Sequence, residues 1–275
     1  FQLTLSGDNS TTHTGKTIFY EGTLKLGAGG QISQQSLQIG DGATFDINNQ
    51  DQSLNALKPG LDNETLPEPE VKLGGGANGT LTISEGAGEE ENFTGVISGT
   101  GSVVKNGAGT QILGTANTYD GTTTVNGGTL ELGFADGVTT GPITNDANLK
   151  LNQASGNEVT LNGLQGTGDF RKTGEGSAIL DGASNNYGSL TVEQGNLQAS
   201  PASLSNGGAP ADFDESTVTT EDAGTFTLDI SGGDITWDGS GQIKGSDSNG
   251  TGALSVDDGS NNRTLTVNPS GPGSQ

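Results

Sequence analysis

Residues 110–133, TQILGTANTYDGTTTVNGGTLELG, alternate short β-strand patterns with tight turns. The turns fall at residues 117–121 and 126–128, where Asn, Asp and Gly tolerate the left-handed backbone that sharp corners require. Residues 122–125, TTTV, are β-branched throughout and suit a pleated strand. The stretch therefore predicts three short strands separated by two turns.

The last strand of this stretch, TLEL, has the clearest alternation of apolar and polar side chains. Successive side chains of a strand point to opposite faces, so Leu130 and Leu132 should enter a core while Glu131 faces solvent. Truncation of either leucine should then destabilise the fold strongly, whereas substitution of Glu131 should be tolerated.

The same pattern recurs twice more in the chain. Residues 178–200 read AILDGASNNYGSLTVEQGNLQAS, and residues 1–27 read FQLTLSGDNSTTHTGKTIFYEGTLKLG. Lys105 and Lys172 occupy matching positions when the second and third copies are aligned. Repetition over tens of residues in segments made only of strands is typical of a solenoid, in which each coil stacks on the next. At roughly 20–25 residues per coil, the chain would make about a dozen coils.

These residues resemble a known family. The segment GVISGTGSVVKNGAGTQILGTANT, followed directly by YDGTTTVNGGTLELG, is similar to the passenger repeat of bacterial autotransporters. The match is close over residues 93–133, degraded over residues 146–200 and 3–55, and fades after residue 200. The resemblance implies a β-helical stalk. It implies no single activity, because autotransporter passengers include adhesins, proteases and esterases.

Composition fits the thin core of a solenoid rather than a thick globular core. Only 28% of the 275 residues are apolar and 4% are aromatic, while 49 are glycine. A disordered chain would scatter its few apolar residues, whereas here they alternate in register within short runs. We therefore predict an all-β fold: a right-handed parallel β-helix, or β-solenoid, with a distinct C-terminal β section.

The net charge of −23, from 33 acidic and 10 basic residues, limits the partners. Nucleic acid is not expected, because phosphate binding requires clustered Lys and Arg, and anionic membranes are disfavoured for the same reason. The acidity is expected to keep a strand-rich surface soluble.

The chain has no cysteine, so its stability should come from the backbone ladder rather than from disulfides. No apolar run approaches the length of a membrane helix, and no signal peptide is visible. We expect folding without metal or cofactor. The start at Phe1 and the linker-like residues 268–275 indicate a processed mature chain or an excised piece of a longer one.

The strand patterns divide the chain into two predicted parts. Residues 1–200 are assigned to passenger repeats, interrupted at residues 58–70, KPGLDNETLPEPE, which hold three prolines and four acidic residues. We interpret that segment as a loop excursion from the rod, because proline does not join the interior of a strand ladder. Residues 201–275 are assigned to a C-terminal β section of further coils or a hairpin cap. Hairpin-type turns are predicted at residues 247–250 and 257–262.

Core candidates are the apolar residues that alternate along the predicted strands. They comprise Leu24, Leu26, Leu37, Ile39, Phe45, Ile47, Leu81, Ile83, Ile143, Leu149, Leu151, Val159, Leu161, Leu164, Ile179, Leu180, Leu190, Val192 and Leu197. Leu3 and Leu5 alternate in the opening coil, which has no neighbour on one side and needs shielding from edge pairing.

No pattern of catalytic or metal-binding residues emerges. His13, the sole histidine, lies in a Thr-rich turn and alone supplies neither a metal site nor a catalytic triad. The two arginines, Arg171 and Arg263, lie far apart in sequence, unlike the basic clusters of glycan-cleaving β-helices. The acidic pair at residues 257–258 and the GGD at residues 232–234 fit solvated turns better than a calcium site.

Three further side chains have simple structural interpretations. Lys105 and Lys172 recur in register, which a repeated position on the outer face explains. Trp237 is the one aromatic residue large enough to anchor a ligand, but it alternates with Ile235, which indicates burial.

The sequence therefore predicts a non-catalytic, surface-exposed stalk of an autotransporter-like adhesin or aggregation factor, outside the cell. Its partners would be a ligand on a host or neighbouring cell, or further copies in aggregates. No nucleic acid and no membrane insertion are expected. One alternative is a structural subunit of an extracellular filament or surface layer. A second is a glycan-active β-helix enzyme.

Overall fold

The computed structural model describes residues 1–60, 65–75, 79–182, 185 and 187–199, and the backbone of six strands beyond residue 200. These residues form strands and turns without a helix, in parallel sheets stacked as a β-solenoid of about nine turns. The predicted all-β, parallel β-helical fold is confirmed. The described chain falls into two compact units, Phe1–Gly141 and Pro142–Gln275.

The first unit stacks its strands in four parallel sheets. Their orders are β1-β3-β5-β8-β11, β6-β9-β12-β14, β10-β13-β15 and β2-β4-β7. The strands are β1 (Gln2–Leu5), β2 (Thr17–Phe19), β3 (Gly22–Leu26), β4 (Ser36–Ile39), β5 (Ala43–Asp46), β6 (Gln52–Leu54), β7 (Ala56–Pro59), β8 (Glu70–Lys72), β9 (Thr80–Ser84), β10 (Glu90–Asn92), β11 (Val96–Ser98), β12 (Ser102–Asn106), β13 (Thr110–Asn117), β14 (Thr123–Val125), β15 (Thr129–Phe134) and β16 (Val138–Thr139).

The second unit is built in the same way. Its sheets run β18-β21-β23-β25-β28, β19-β22-β24-β26-β29, β17-β20 and β27-β30, and every pairing among them is parallel. The strands are β17 (Ile143–Asn145), β18 (Asn148–Asn152), β19 (Glu158–Asn162), β20 (Leu164–Gln165), β21 (Asp169–Thr173), β22 (Ser177–Asp181), β23 (Ser189–Val192), β24 (Asn196–Ala199), β25 (Thr217–Thr220), β26 (Thr225–Asp229), β27 (Ile235–Trp237), β28 (Gln242–Gly245), β29 (Ala253–Asp257) and β30 (Leu265–Val267).

The length of a coil changes along the chain. Within the repeats the coils are short, since Thr110 pairs with Thr129 and Ser177 pairs with Asn196. Beyond residue 200 the step from one coil to the next is longer, since Leu197 pairs with Phe226. The step is also long in part of the first unit, where Gln52 pairs with Leu81. The estimate of a dozen coils was too high because these long coils use more residues each.

The core is a narrow column of alternate strand residues. Leu130 and Leu132 are fully buried, as predicted, and Glu131 lies between them on the outer face, where it is half-buried. The other core candidates are buried too, with one exception. The prediction that Ile179 is a core residue is wrong. Ala178 and Leu180 take the inward positions of β22, so Ile179 lies on the outer face. Burial of each such leucine contributes roughly 1.5–3 kcal/mol.

The predicted excursion at residues 58–70 is too long. Lys58 and Pro59 end β7 and pair with Gln38 and Ile39, while Glu70 begins β8. Pro59 is tolerated in the ladder because β7 lies at the edge of its described sheet, where a missing N–H costs little.

Strand pairing in residues 201–275 is that of coils rather than of hairpins. β25 pairs with β23, and β26 pairs with β24, both in parallel. β28 and β29 flank the predicted turn at residues 247–250 but belong to different sheets, so the hairpin interpretation is wrong there. The same holds for β29 and β30 around residues 257–262. A domain boundary at residue 200 stays a prediction.

Candidate functional site

A shallow cavity opens on the outer surface beside the end of β7. Its volume is about 190 Å³, and it is lined by Asp41, Pro59, Gly60, Glu68 and Thr94. Two carboxyl groups and a hydroxyl make this cavity acidic and rich in hydrogen-bond acceptors. It can receive a ligand that donates hydrogen bonds, such as a sugar hydroxyl or an amine.

Two exposed apolar side chains lie on either side of the turn that carries Asp41. Tyr20 is 46% exposed and Leu66 is 40% exposed. Tyr20 packs over Gly40, where an added Cβ would lie 3.0 Å from Tyr20 Cδ1, and Leu66 packs over Gly42. Each glycine lets the larger side chain lie flat on the coil. We call the set Tyr20, Asp41, Leu66, Glu68 and Thr94 the corner surface.

Backbone hydrogen bonds and an ion pair hold the corner surface on the first unit. Gly60 N–H donates to Ile39 O at 2.6 Å, and Gly42 N–H donates to Pro67 O at 2.7 Å. Lys58 forms an ion pair with Glu91 of β10. These contacts fix the backbone on either side of residues 61–66.

The interior contains an ion pair that the sequence did not predict. Lys105 is fully buried, and its Nζ lies 3.0 Å from Glu85 Oε2, which is also fully buried. Lys105 Nζ also donates to the carbonyl oxygens of Asn106, Gly107 and Gly127. Burial raises the pKa of the Glu85 carboxyl above its ordinary value, and Lys105 opposes that rise.

Lys172 repeats this arrangement in the second unit. It is fully buried, and Nζ donates to Thr173 O at 2.7 Å, Gly174 O at 2.8 Å and Gln194 O at 3.3 Å. Burial lowers the pKa of Lys172 to about 8. In both units the ammonium links the turn after its own strand to the turn one coil further on.

The prediction that Lys105 and Lys172 lie on the outer face is therefore wrong. Each occupies an inward position in the two-residue alternation of its strand. The long side chain follows the core to its edge, where backbone carbonyl oxygens replace water around the ammonium.

Buried amides form a second set that sequence reasoning missed. Asn117 Oδ1 accepts from Ile97 N–H at 2.9 Å, and its Nδ2 donates to Leu113 O and Gly133 O, both at 2.7 Å. Asn185 likewise accepts from Leu164 N–H. The signal was the recurrence of Asn-x-Tyr at residues 117–119 and 185–187, whose tyrosines are buried as well.

Gln111 connects strands that are far apart in sequence. Its Nε2 donates to Leu57 O and Glu91 O, both at 3.1 Å, and its Oε1 accepts from Leu57 N–H at 3.2 Å. Gln111 thus satisfies the backbone of β7, which belongs to a different sheet from β13.

The predicted site residues are not brought together. His13 is exposed in its turn, and Arg171 forms an ion pair with Glu193. Among the described residues no group of three His, Cys, Asp or Glu side chains could hold a metal ion.

The remaining predicted residues lie beyond residue 200. Asp257 ends β29, while Arg263, Asp258 and residues 232–234 lie outside the described part of the chain, as does the side chain of Trp237. Within that described part, no helix has the length and apolarity to span a membrane.

Comparison with known proteins identifies the repeats. The family model of the passenger-associated-transport-repeat matches residues 2–26, 103–132 and 170–199. Over 174 residues the chain is 36% identical to the adhesin BmaC autotransporter of Brucella suis biovar 1 (strain 1330). That match covers 62% of this chain and 5% of the relative, so the chain spans a small part of the relative's length. Three copies of the repeat on a parallel β-solenoid, together with this relative, support an autotransporter passenger domain.

Proposed function

We propose that this chain is a non-catalytic stalk segment of a surface-exposed, adhesin-like passenger that presents the corner surface to a partner. The observation that supports this most is the agreement between the stacked passenger repeats and the relative named as an adhesin. In this proposal the solenoid carries the contact surface away from the cell after secretion through the outer membrane. The partner is a ligand on a host or neighbouring cell, or another copy of the passenger.

The corner surface has the properties expected of such a contact. Tyr20 and Leu66 supply exposed apolar area, and Asp41 and Glu68 supply acceptors beside it. Loops held on a rigid scaffold are where binding residues concentrate, because the scaffold reduces the entropy lost on binding.

The test uses beads coated with the purified chain, scored for attachment to cultured epithelial cells and for clumping with one another. The variant Tyr20→Ser/Leu66→Ser removes the apolar part of the corner surface, and Asp41→Asn/Glu68→Gln removes its charges. Glu175→Gln, which alters an exposed carboxylate in the second unit, is the matched control.

We expect attachment or clumping by the parent chain and by Glu175→Gln, and at least a tenfold loss with either corner variant. Replacement of residues 61–66 by a short Gly-Ser link should reduce attachment while the melting temperature changes little, because the anchors at Gly60 and Pro67 remain. Equal attachment by all variants would contradict the corner surface. Hydrolysis of a polysaccharide by the parent chain would contradict a non-catalytic stalk.

A further inference from the structure

Three Asn-Gly pairs lie wholly within the described part of the chain, at residues 106–107, 126–127 and 162–163. In such a pair the backbone nitrogen of glycine can attack the side-chain carbonyl carbon of asparagine, because glycine has no Cβ to hinder the approach. The attack requires that the glycine N–H lose its proton and that the asparagine Oδ1 take up negative charge. The surroundings of these two groups can therefore be compared among the three pairs.

The glycine N–H is available in the first pair and engaged in the third. Gly107 is exposed, and its N–H donates to no group among the described residues. Gly163 N–H instead donates to Asp181 O at 3.2 Å. Attack by the nitrogen of Gly163 would have to break this hydrogen bond, whereas attack by the nitrogen of Gly107 breaks none.

Lys105 stabilises the deprotonated form of the Gly107 nitrogen. Its ammonium donates to Asn106 O, the carbonyl oxygen of the same peptide unit as Gly107 N–H. When this unit loses its proton, resonance places negative charge on the oxygen as well as on the nitrogen. A positive charge against that oxygen favours the charged form. Because Lys105 is fully buried, solvent screens this attraction little.

The side chain of Asn126 activates the carbonyl that is attacked. Asn126 Nδ2 donates to Asn106 Oδ1 at 2.9 Å. Negative charge develops on this oxygen during the attack, and a donor already in place stabilises it. Among the described residues nothing donates to Asn126 Oδ1, and Lys105 donates to Gly127 O rather than to Asn126 O. The pair at residues 126–127 therefore lacks both activating contacts.

We propose that residues 105–107 and Asn126 form a site of spontaneous deamidation at Asn106. Hydroxide removes the proton of Gly107 N–H, and the nitrogen bonds to Cγ of Asn106 while the Cγ–Nδ2 bond breaks. Nδ2 takes up a proton from water and leaves as ammonia. Water then opens the resulting succinimide at either carbonyl, which yields aspartate or isoaspartate at position 106. The reaction consumes only water and adds a negative charge to the turn.

The second unit has the same lysine without the asparagine. Lys172 Nζ donates to Thr173 O at 2.7 Å, and this oxygen belongs to the peptide unit of Gly174 N–H. Gly174 N–H donates to no group among the described residues. Thr173 has no carboxamide for the nitrogen to attack, so Thr173→Asn should introduce deamidation at this position.

Peptide mapping by mass spectrometry measures the rate at each position while the folded chain is incubated at neutral pH. Asn106 should deamidate fastest of the three described pairs, and Asn162 slowest. Asn126→Ala should slow the reaction at Asn106 about fivefold, the rate equivalent of one ordinary hydrogen bond. Lys105→Met/Glu85→Leu, which removes the ammonium without leaving a buried carboxylate, should slow it by about tenfold. Circular dichroism checks that each variant is folded.

Two controls separate the folded site from the Asn-Gly sequence itself. In urea the three pairs should react at similar rates, because unfolding removes the contacts with Lys105 and Asn126. In the folded Thr173→Asn chain, position 173 should react faster than Asn162 but slower than Asn106. Its rate is lower because Glu193, the counterpart of Asn126 in donating its N–H to the lysine carbonyl, offers no side-chain donor.

A rate at Asn106 no higher than that at Asn162 would overturn the proposal. The same conclusion would follow if the order of rates persisted in urea, or if Asn126→Ala and Lys105→Met/Glu85→Leu both left the rate at Asn106 unchanged. None of these readouts depends on cell attachment, so the proposed adhesin-like role is tested independently.

Discussion

Two buried lysines, one in each compact unit, occupy the same place in their coils but have different neighbours. Lys105 lies 3.0 Å from the carboxylate of Glu85. The position equivalent to Glu85, two residues beyond the strand partner of the lysine, is Gln153 in the coil of Lys172. Both lysines nevertheless donate to carbonyl oxygens of the turn that follows and of the next turn.

The difference shows which part of the arrangement is constant. The turn carbonyl oxygens that accept hydrogen bonds from the lysine, which we call the carbonyl ring, are common to both units. The second unit shows that the carbonyl ring can accommodate a buried lysine without a carboxylate at the position of Glu85. The carboxylate varies between the units, and in the first unit it places an opposite charge 3.0 Å from the ammonium. Comparison of the two coils therefore distinguishes the contribution of the carbonyl hydrogen bonds, present in both, from that of the opposite charge, present beside Lys105.

The largest effect is expected from breaking the ion pair. Lys105→Met leaves Glu85 buried without its counter-charge, which should cost about 3–5 kcal/mol of unfolding free energy. The penalty should shrink on acidification. The folded-state pKa of Glu85 lies above the ordinary value of 4.5, so the variant is most stable below that value and loses stability as the pH rises through the folded-state pKa. Urea denaturation of the variant and the parent chain between pH 4 and 8 measures this penalty. The double variant Lys105→Met/Glu85→Leu should recover most of the lost unfolding free energy. A loss independent of pH would contradict an uncompensated carboxylate.

The next effect is a pH dependence with the opposite sign, carried by Lys172. Its pKa is about 8 in the folded chain, against an ordinary value of 10.5. Between these values the unfolded chain binds a proton that the folded chain does not, so unfolding free energy rises with pH. The parent chain should gain about 3 kcal/mol over Lys172→Met between pH 7.5 and 10.5. Urea denaturation of both proteins across that range tests this, and parallel curves would show that Lys172 titrates normally.

A smaller effect is expected from exchanging the variable residue between units. Gln153→Glu gives Lys172 a carboxylate, which should raise its pKa and flatten the alkaline rise in stability. Glu85→Gln reproduces the second unit in the first and should cost about 1 kcal/mol, the scale of one buried hydrogen bond. The two variants are matched controls for each other. If Glu85→Gln were as damaging as Lys105→Met, the carbonyl ring alone would be insufficient for Lys105.

The smallest effect is expected on the outer face of the same coils. Glu131→Lys should change the unfolding free energy by no more than about 0.5 kcal/mol. Leu130→Ala, at the adjacent and fully buried position, should cost about 2–5 kcal/mol and serves as the inward control. If Glu131→Lys proved the more damaging of the two, then inward and outward positions would be reversed in this strand.

The parallel solenoid was predictable because its pattern recurs over tens of residues, and its core was predictable because strand periodicity is a local property. Alternation placed Leu130 and Leu132 correctly without any tertiary information. Lys105 was misplaced because residue type was weighed above the alternation Val103-Val104-Lys105, which already indicated the inward position.

The remaining features depend on contacts between coils, which the sequence does not encode locally. Pro59 joins a strand because that strand lies at an edge. The carbonyls around Lys172 come from turns of two successive coils, and the corner surface combines residues from positions 20 to 94. Among these features, only the coil-to-coil hydrogen bonds of Asn117 and Asn185 had a sequence signal, the recurrence of Asn-x-Tyr. A polar residue that recurs at one position of a repeat indicates a repeated hydrogen bond.

The hydrogen bonds between Gln111 and Leu57 affect how the coils of the first unit unfold. In a solenoid that couples only adjacent coils, opening proceeds one coil at a time from an end. Gln111 is bonded to Leu57, 54 positions away, so opening of the segment between them also breaks these hydrogen bonds and costs more free energy. Amide hydrogens of β7, β10 and β13 should therefore exchange with solvent as one cooperative block, with Gln111→Ala dividing it into separately opening parts.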